Sequence, residues 1–91
     1  MSKKSLEEIK EALVEHGYED TIVFENPGYE DAFIGVSHDG RAIYDYNLMV
    51  ESLAKEDEMT FEDAAEFIDY NTIRALPYIG ERAPIIKMDI E

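Results

Sequence analysis

The sequence predicts an α+β fold, in which three helices pack on a small antiparallel sheet of three to four strands. Three observations predict it. Apolar residues near the N-terminus recur at helical spacing, residues 21–45 are rich in β-branched and aromatic side chains, and helical spacing returns from Tyr46 onward. The predicted order is α-β-β-β-α-α with a possible final strand, in a single domain spanning residues 1–91.

The first helix is predicted over residues 6–16. Ser5 and Glu8 stand at the two ends of a capping box, in which each side chain bonds the backbone N–H of the other residue. Gly17 follows at the position where helices commonly end on a left-handed residue. The residues at helical spacing are Leu6, Ile9, Ala12 and Leu13.

Three strands are predicted next, at residues 21–25, 32–36 and 41–45. A turn over residues 26–28, Asn-Pro-Gly, separates the first two. Asp39 and Gly40 form a dipeptide typical of two-residue type I′ hairpins. This loop predicts a register that places Val36 opposite Ile43.

A second helix is predicted over residues 46–56, with Asp45 or Asn47 as its N-cap. Thr60 begins a third helix, which Pro77 ends near Ala75 or Leu76. The apolar tail, residues 83–90, could add a strand. The side chains predicted to be buried along the third helix are Phe61, Ala65, Ile68, Thr72 and Leu76.

The net charge of the chain indicates what kind of partner it can bind. The chain has 8 basic and 22 acidic residues, a formal charge of −14. Such a surface repels nucleic-acid phosphates and anionic lipids, so it favours a basic protein surface as partner and argues against direct nucleic-acid or membrane binding. The chain also lacks cysteine, an apolar stretch of about 20 residues and a signal-peptide pattern. We therefore expect a cytoplasmic protein.

The acids are concentrated between residues 51 and 69, where Lys55 is the single base. This pattern is typical of a solvated face that maintains solubility. Alternatively, the carboxylates form an electrostatic surface that docks on a basic groove and imitates nucleic-acid phosphates. The candidate partner-binding residues are Glu51, Glu56, Asp57, Glu58, Glu62, Asp63, Glu66 and Asp69.

Catalytic and metal-binding patterns are weak. Acid–base catalysis needs enclosed carboxyls, and most acids here fall on predicted polar faces or in loops. His16 and His38 are the two histidines, and neither has a histidine partner at i+4. We therefore expect a non-enzymatic protein without a metal or cofactor.

Tyrosines are expected to gather around Arg41 and Arg74. The sequence favours a half-buried structural cluster in which Arg74 pairs with Asp45 or Asp69. Asn71 and Thr72 would lock the chain through hydrogen bonds to the backbone. The alternative is an interface, where tyrosine and arginine are enriched. The residues of this cluster are Tyr44, Tyr46, Tyr70, Asn71, Arg74 and Tyr78.

The strings GRAIYDY and MTFEDAAEFIDYNTIRALPY, followed by API, span about half of the chain. They resemble a family of small acidic proteins of unassigned function from Firmicutes and their phages or mobile elements. The resemblance implies no catalytic residues. It implies a role in phage–host conflict, in which a small acidic protein blocks a nucleic-acid enzyme.

A second hypothesis is a structural or assembly module that oligomerises through apolar and tyrosine surface. The third helix, together with Ile85 and Ile86 of the tail, would carry that contact.

Overall fold

A small three-stranded sheet packed with helices forms the fold in the computed structural model, which describes residues 5–25 and 27–90. The predicted α+β class is confirmed. The elements in chain order are α1 (Leu6–Glu15), β1 (Phe33–Val36), β2 (Ala42–Asp45), α2 (Tyr46–Glu56), α3 (Phe61–Phe67), α4 (Leu76–Ile79) and β3 (Ile85–Lys87). A 3₁₀ turn at Glu30–Ala32 precedes β1, and a π-helix at Ile68–Ile73 continues α3.

Helix α1 has the predicted ends. Ser5 Oγ accepts from the N–H of Glu8 at 3.1 Å, and the Glu8 carboxylate accepts from the N–H of Ser5 at 3.0 Å. Gly17 follows the C-cap with φ +85°. The N–H groups of Gly17 and Tyr18 bond the carbonyls of Val14 and Leu13, which is a Schellman motif.

The sheet is mixed, so the prediction of an antiparallel sheet is corrected. Its strand order is β1-β2-β3, with β1 antiparallel and β3 parallel to β2. The predicted tail strand therefore exists, as Ile85–Lys87. Along the chain, α2, α3 and α4 all come between β2 and β3. Two parallel strands require a long crossover connection of this kind.

The predicted hairpin register is wrong by one residue. Val36 pairs with Ala42, and Gly35 pairs with Ile43. Because the N–H of Ser37 bonds the Arg41 carbonyl at 2.8 Å, the loop contains three residues rather than two. Gly40 alone in the loop has positive φ, as in a type I turn followed by a left-handed residue.

Residues 21–25 do not form the predicted strand. They have no regular secondary structure, and their contacts go to side chains and a turn instead of a strand ladder. Thr21 Oγ1 donates to the Gly40 carbonyl at 2.9 Å, and the N–H of Phe24 donates to the Tyr44 hydroxyl at 3.1 Å. The predicted turn after this segment begins at Asn26, which lies outside the described residues.

The core lies between the sheet and the helical layer. Tyr44 on β2, Met49 on α2 and Ile68 after α3 are fully buried. The ring centre of Phe24 lies 4.7 Å from that of Tyr44, so the segment of residues 21–25 packs against β2 here. No helix in the described ranges is long and apolar enough to cross a membrane.

The third helical segment changes its pitch midway. It is α-helical to Phe67 and π-helical from Ile68 to Ile73, a change that the sequence does not predict. It then breaks at Arg74, and α4 begins with Pro77 in its first turn, close to the predicted end. Ile68 and Thr72 are buried as predicted, and Ala65 and Leu76 are half-buried, but Phe61 is 64% exposed, so its predicted burial is wrong.

Candidate functional site

The acidic surface comprises the eight candidate carboxylates between residues 51 and 69, and all eight residues are exposed. Two helices position them. Helix α2 buries Met49, Val50 and Leu53 against the core, and α3 packs on α2 through Ala64. The polar sides of both helices therefore face solvent, and the acids lie on those sides and on the loop that connects them.

On α3 the acids share one side of the helix. Glu62, Asp63 and Glu66 stand at i, i+1 and i+4, away from the buried Ala64. Thr60 caps this helix by accepting from the N–H of Asp63 at 3.0 Å. Carboxylates in the first turn lie near the positive end of the helix dipole, so Glu62 and Asp63 are placed where they stabilise α3.

At the end of α2 the acids are placed unfavourably. Glu56, Asp57 and Glu58 follow one another where the helix presents its negative end, and Lys55 is the one base in the last turn. Ser52 Oγ donates to Glu56 at 3.5 Å. The helix dipole disfavours carboxylates at this point, so it does not explain why three of them occur here.

Glu58 also has an unfavourable backbone conformation. Its φ is +54°, in the left-handed region, and the N–H of Met59 bonds the Ala54 carbonyl at 3.0 Å. This is the 6→1 bond that also ends α1, where the left-handed residue is Gly17. The chain therefore uses glutamate at a position for which glycine is the ordinary choice.

The remaining two acids lie apart from these groups. Asp69 Oδ1 accepts from the Tyr46 hydroxyl at 3.2 Å, and burial together with the Asp69 carboxylate raises the pKa of Tyr46. Glu51 lies on the rim of a cleft of about 320 Å³ between α2 and the start of α3. The structure thus places six of the eight acids around the α2–α3 connection, with Glu51 and Asp69 outside it.

The exposed side chain of Phe61 forms one side of this cleft. Its ring lines the cleft with Met59 and Ala54, while Glu51 and Lys55 complete the lining. Sequence reasoning missed this feature because Phe61 has the correct helical spacing for burial. As the first residue of α3, however, it has no preceding turn of its own helix to cover, so its side chain lies over the loop.

The tyrosines do not form the predicted single cluster. Tyr44 is fully buried and Tyr46 is half-buried, whereas Tyr70 and Tyr78 are 65% and 91% exposed. The Arg74 guanidinium lies 5.3 Å from the centre of the Tyr70 ring, a cation–π contact. The core and the surface each hold two of these rings, so the cluster prediction is corrected.

The carboxylates proposed for Arg74 have other partners. Asp45 lies 3.5 Å from Lys87 Nζ and caps α2, and Asp69 bonds Tyr46. Arg41 lies elsewhere: its Nε donates to the Ala83 carbonyl at 2.8 Å and ties the hairpin to the segment before β3.

Asn71 and Thr72 stabilise the π-helical segment in two ways. Asn71 Nδ2 donates to the Phe67 carbonyl at 3.0 Å, a backbone contact of the predicted kind. Thr72 instead bonds a side chain, with its Oγ1 2.9 Å from the Tyr29 hydroxyl. Tyr29 is buried in left-handed conformation, with φ +50°, and burial raises the pKa of its hydroxyl.

This hydroxyl pair lies beside a small cleft of about 150 Å³, lined also by Phe24 and Ile79. The two hydroxyls bond each other, and either oxygen can act as the donor. A different cleft, of about 420 Å³, lies between α1 and residues 21–25, and the ion pair of Lys10 and Glu25 spans 3.3 Å there. Glu19 and Thr21 also line this larger cleft, where the Thr21 hydroxyl donates to the Gly40 carbonyl at 2.9 Å.

Among residues 5–25 and 27–90, no group of three or more histidine or acidic side chains is placed to hold a metal ion. His16 and His38 are both exposed. The carboxylates of the acidic surface therefore spread over the molecule and do not converge on a point.

Comparison with known proteins gives no further guide to the site. No family model matches the chain, and no curated protein or solved structure shows significant similarity to it.

Proposed function

We propose that this chain is a non-enzymatic, cytoplasmic binding module whose acidic surface docks on a basic site of a partner protein. The observation that carries the proposal is the placement of Glu56, Asp57 and Glu58. These three acids lie at the negative end of the α2 dipole, where carboxylates are disfavoured. Glu58 also has a backbone conformation that glycine would adopt at lower cost. Acids that served solubility alone could occupy positions without these penalties.

A more specific form of the proposal is an inhibitor of phage type that occupies the nucleic-acid channel of a host enzyme. Two features support it. The net charge of −14 repels nucleic acid and attracts the basic residues that line such channels. The resemblance to small acidic proteins of phages and mobile elements indicates the same biological setting. The partner would then lose nucleic-acid binding in proportion to the amount of inhibitor bound.

The test begins with capture of the partner from the natural host cell by the tagged protein, followed by mass spectrometry. Binding is then measured at several salt concentrations for a charge-reversed variant. We expect affinity to fall with rising salt and to be lost in the variant. The variant carries lysine at Glu56, Asp57, Glu62, Asp63 and Glu66.

A matched control separates the effect of these positions from that of total charge. It carries five lysines on exposed acids away from the acidic surface, which gives both variants the same net charge. We expect the control to retain most of the affinity. Equal binding by the two variants at low salt would refute the proposal. The control positions are Glu11, Glu15, Glu19, Asp20 and Glu81.

The alternative, an assembly module, is favoured by a different observation. Tyr78 and Ile79 of α4 are exposed side by side, as are Met88 and Ile90 of the tail. Ile85 and Ile86 are half-buried in β3, so they contribute less surface than expected. Light scattering at micromolar concentration distinguishes the readings, since an assembly module would form a defined oligomer and the binding module would remain monomeric.

A further inference from the structure

The cleft beside Phe61 indicates more about the partner than charge does. It lies between α2 and the start of α3, has a volume of about 320 Å³, and is lined on its apolar side by Ala54, Met59 and Phe61. Small-molecule sites begin at roughly this size, so the cleft admits one large side chain and little more.

The lining of the cleft contains one acid, Glu51, and one base, Lys55, and further exposed acids flank its apolar residues along the chain. Glu51 lies on its rim, and Glu58 and Glu62 are the chain neighbours of Met59 and Phe61. An exposed aromatic ring within a charged rim is the usual arrangement of a binding hot spot, in which an apolar anchor is buried at the centre and polar contacts surround it. A surface that only imitated nucleic-acid phosphates would need the carboxylates but not the exposed Phe61 ring.

We infer that the partner presents a basic amphipathic α-helix, with one apolar side chain in the Phe61 cleft and lysines or arginines against the surrounding acids. Such a helix presents apolar residues along one side and basic residues beside them. One apolar side chain can then enter the cleft while the basic residues contact the acids around it. This inference rests on the proposed function and identifies the chemical class of partner for the same surface.

Two synthetic helical peptides of about 14 residues, or four turns, serve as probes. Both carry the same lysines; one has leucine at the apolar helical spacing, and the other has alanine there. Peptide binding is measured by fluorescence anisotropy at about 0.15 M salt. We expect the leucine peptide to bind about tenfold more tightly than the alanine peptide, the factor typical of one well-buried anchor.

Three variants of the protein locate the contact. We expect Phe61→Ala to weaken binding of the leucine peptide by about tenfold and to leave the alanine peptide unaffected. Tyr78→Ala removes a more accessible aromatic ring outside the acidic surface, and should change neither. Lys55→Gln removes the single base on the cleft rim and should strengthen the binding of both peptides. Circular dichroism confirms that each variant folds.

The outcomes separate the two proposals. Equal affinity of the two peptides, or equal effects of Phe61→Ala and Tyr78→Ala, would overturn the amphipathic-helix inference. In that case, salt-dependent binding that the five-site reversal abolishes would still support the acidic surface as the site. Peptide binding unaffected by the five-site reversal would refute both.

Discussion

Replacing Glu58 by glycine should stabilise the protein and weaken its binding to a basic partner. Glu58 follows the C-cap of α2 with φ +54°, and the N–H of Met59 reaches back to the Ala54 carbonyl. Glycine adopts this conformation without the steric cost that a Cβ imposes. The same substitution removes one carboxylate from the negative end of the helix.

The expected gain follows from three terms. The left-handed conformation costs a non-glycine residue about 1–2 kcal/mol. Removing an exposed carboxylate from a helix C-terminus contributes a few tenths of a kcal/mol. Glycine also makes the unfolded chain more flexible, which offsets about 0.4–1 kcal/mol. The net gain is about 1 kcal/mol, which raises the Tm of a domain of this size by about 4–8 °C.

Thermal unfolding followed by circular dichroism measures this gain, and two further variants separate its causes. Glu58→Gln removes the charge but keeps the strained backbone, so it should gain only a few tenths of a kcal/mol. Gly17→Ala reverses the exchange at the end of α1, where an added Cβ meets no atom within 4 Å. It should therefore lose about 1 kcal/mol from backbone strain alone. A Tm for Glu58→Gly at or below that of the parent would refute this reasoning.

Three other perturbations have defined outcomes. Thr72→Val leaves the buried Tyr29 hydroxyl without its partner and should cost about 1–3 kcal/mol in urea unfolding; an unchanged midpoint would contradict the contact. Burial raises the pKa of Tyr44 from 10.0 to about 12. The unfolded state therefore loses this proton first, and Tyr44 should contribute a fall in stability of roughly 2 kcal/mol as pH rises from 10 to 12. Tyr44→Phe should remove this contribution and leave those of Tyr29 and Tyr46, whose pKa values are also raised. If Tyr44→Phe shows the same alkaline loss, other groups cause it. Asp45→Ala removes the cap on α2 and the ion pair with Lys87, so the Tm should fall by several degrees, reflecting about 1 kcal/mol; an unchanged Tm would show that the cap is dispensable.

Helix starts were the best-predicted part of the fold. Ser5, Asp45 and Thr60 each accept a hydrogen bond from the backbone of the following turn, as their positions in the sequence indicate. Capping depends on a few adjacent residues, so local sequence contains the necessary information. The exposure of the eight candidate acids follows from the same kind of local pattern, because the apolar residues of α2 and α3 face the core.

Features set by distant contacts were not predicted. The segment of residues 21–25 is rich in strand-forming residues, yet the Phe24 N–H bonds a tyrosine hydroxyl instead of a neighbouring strand. The parallel pairing of β3 depends on the path of all the intervening helices. The hairpin register depends on the conformation of Asp39, since a type I′ turn requires positive φ at two residues and only Gly40 has it. The π-helix at Ile68–Ile73 has no signal in helical spacing.

Two departures from the rules of stability occur beside each other, and this is the strongest structural support for the proposed site. Glu58 adopts a backbone conformation suited to glycine, and Phe61 leaves an aromatic ring in water where burial would be favourable. One is a cost in backbone energy and the other in hydrophobic burial, so a single local distortion does not account for both. Met59, between them, lines the same cleft. Departures from local rules are expected at functional sites, and this is the structural reason for proposing the segment that joins α2 to α3 as the partner-binding site.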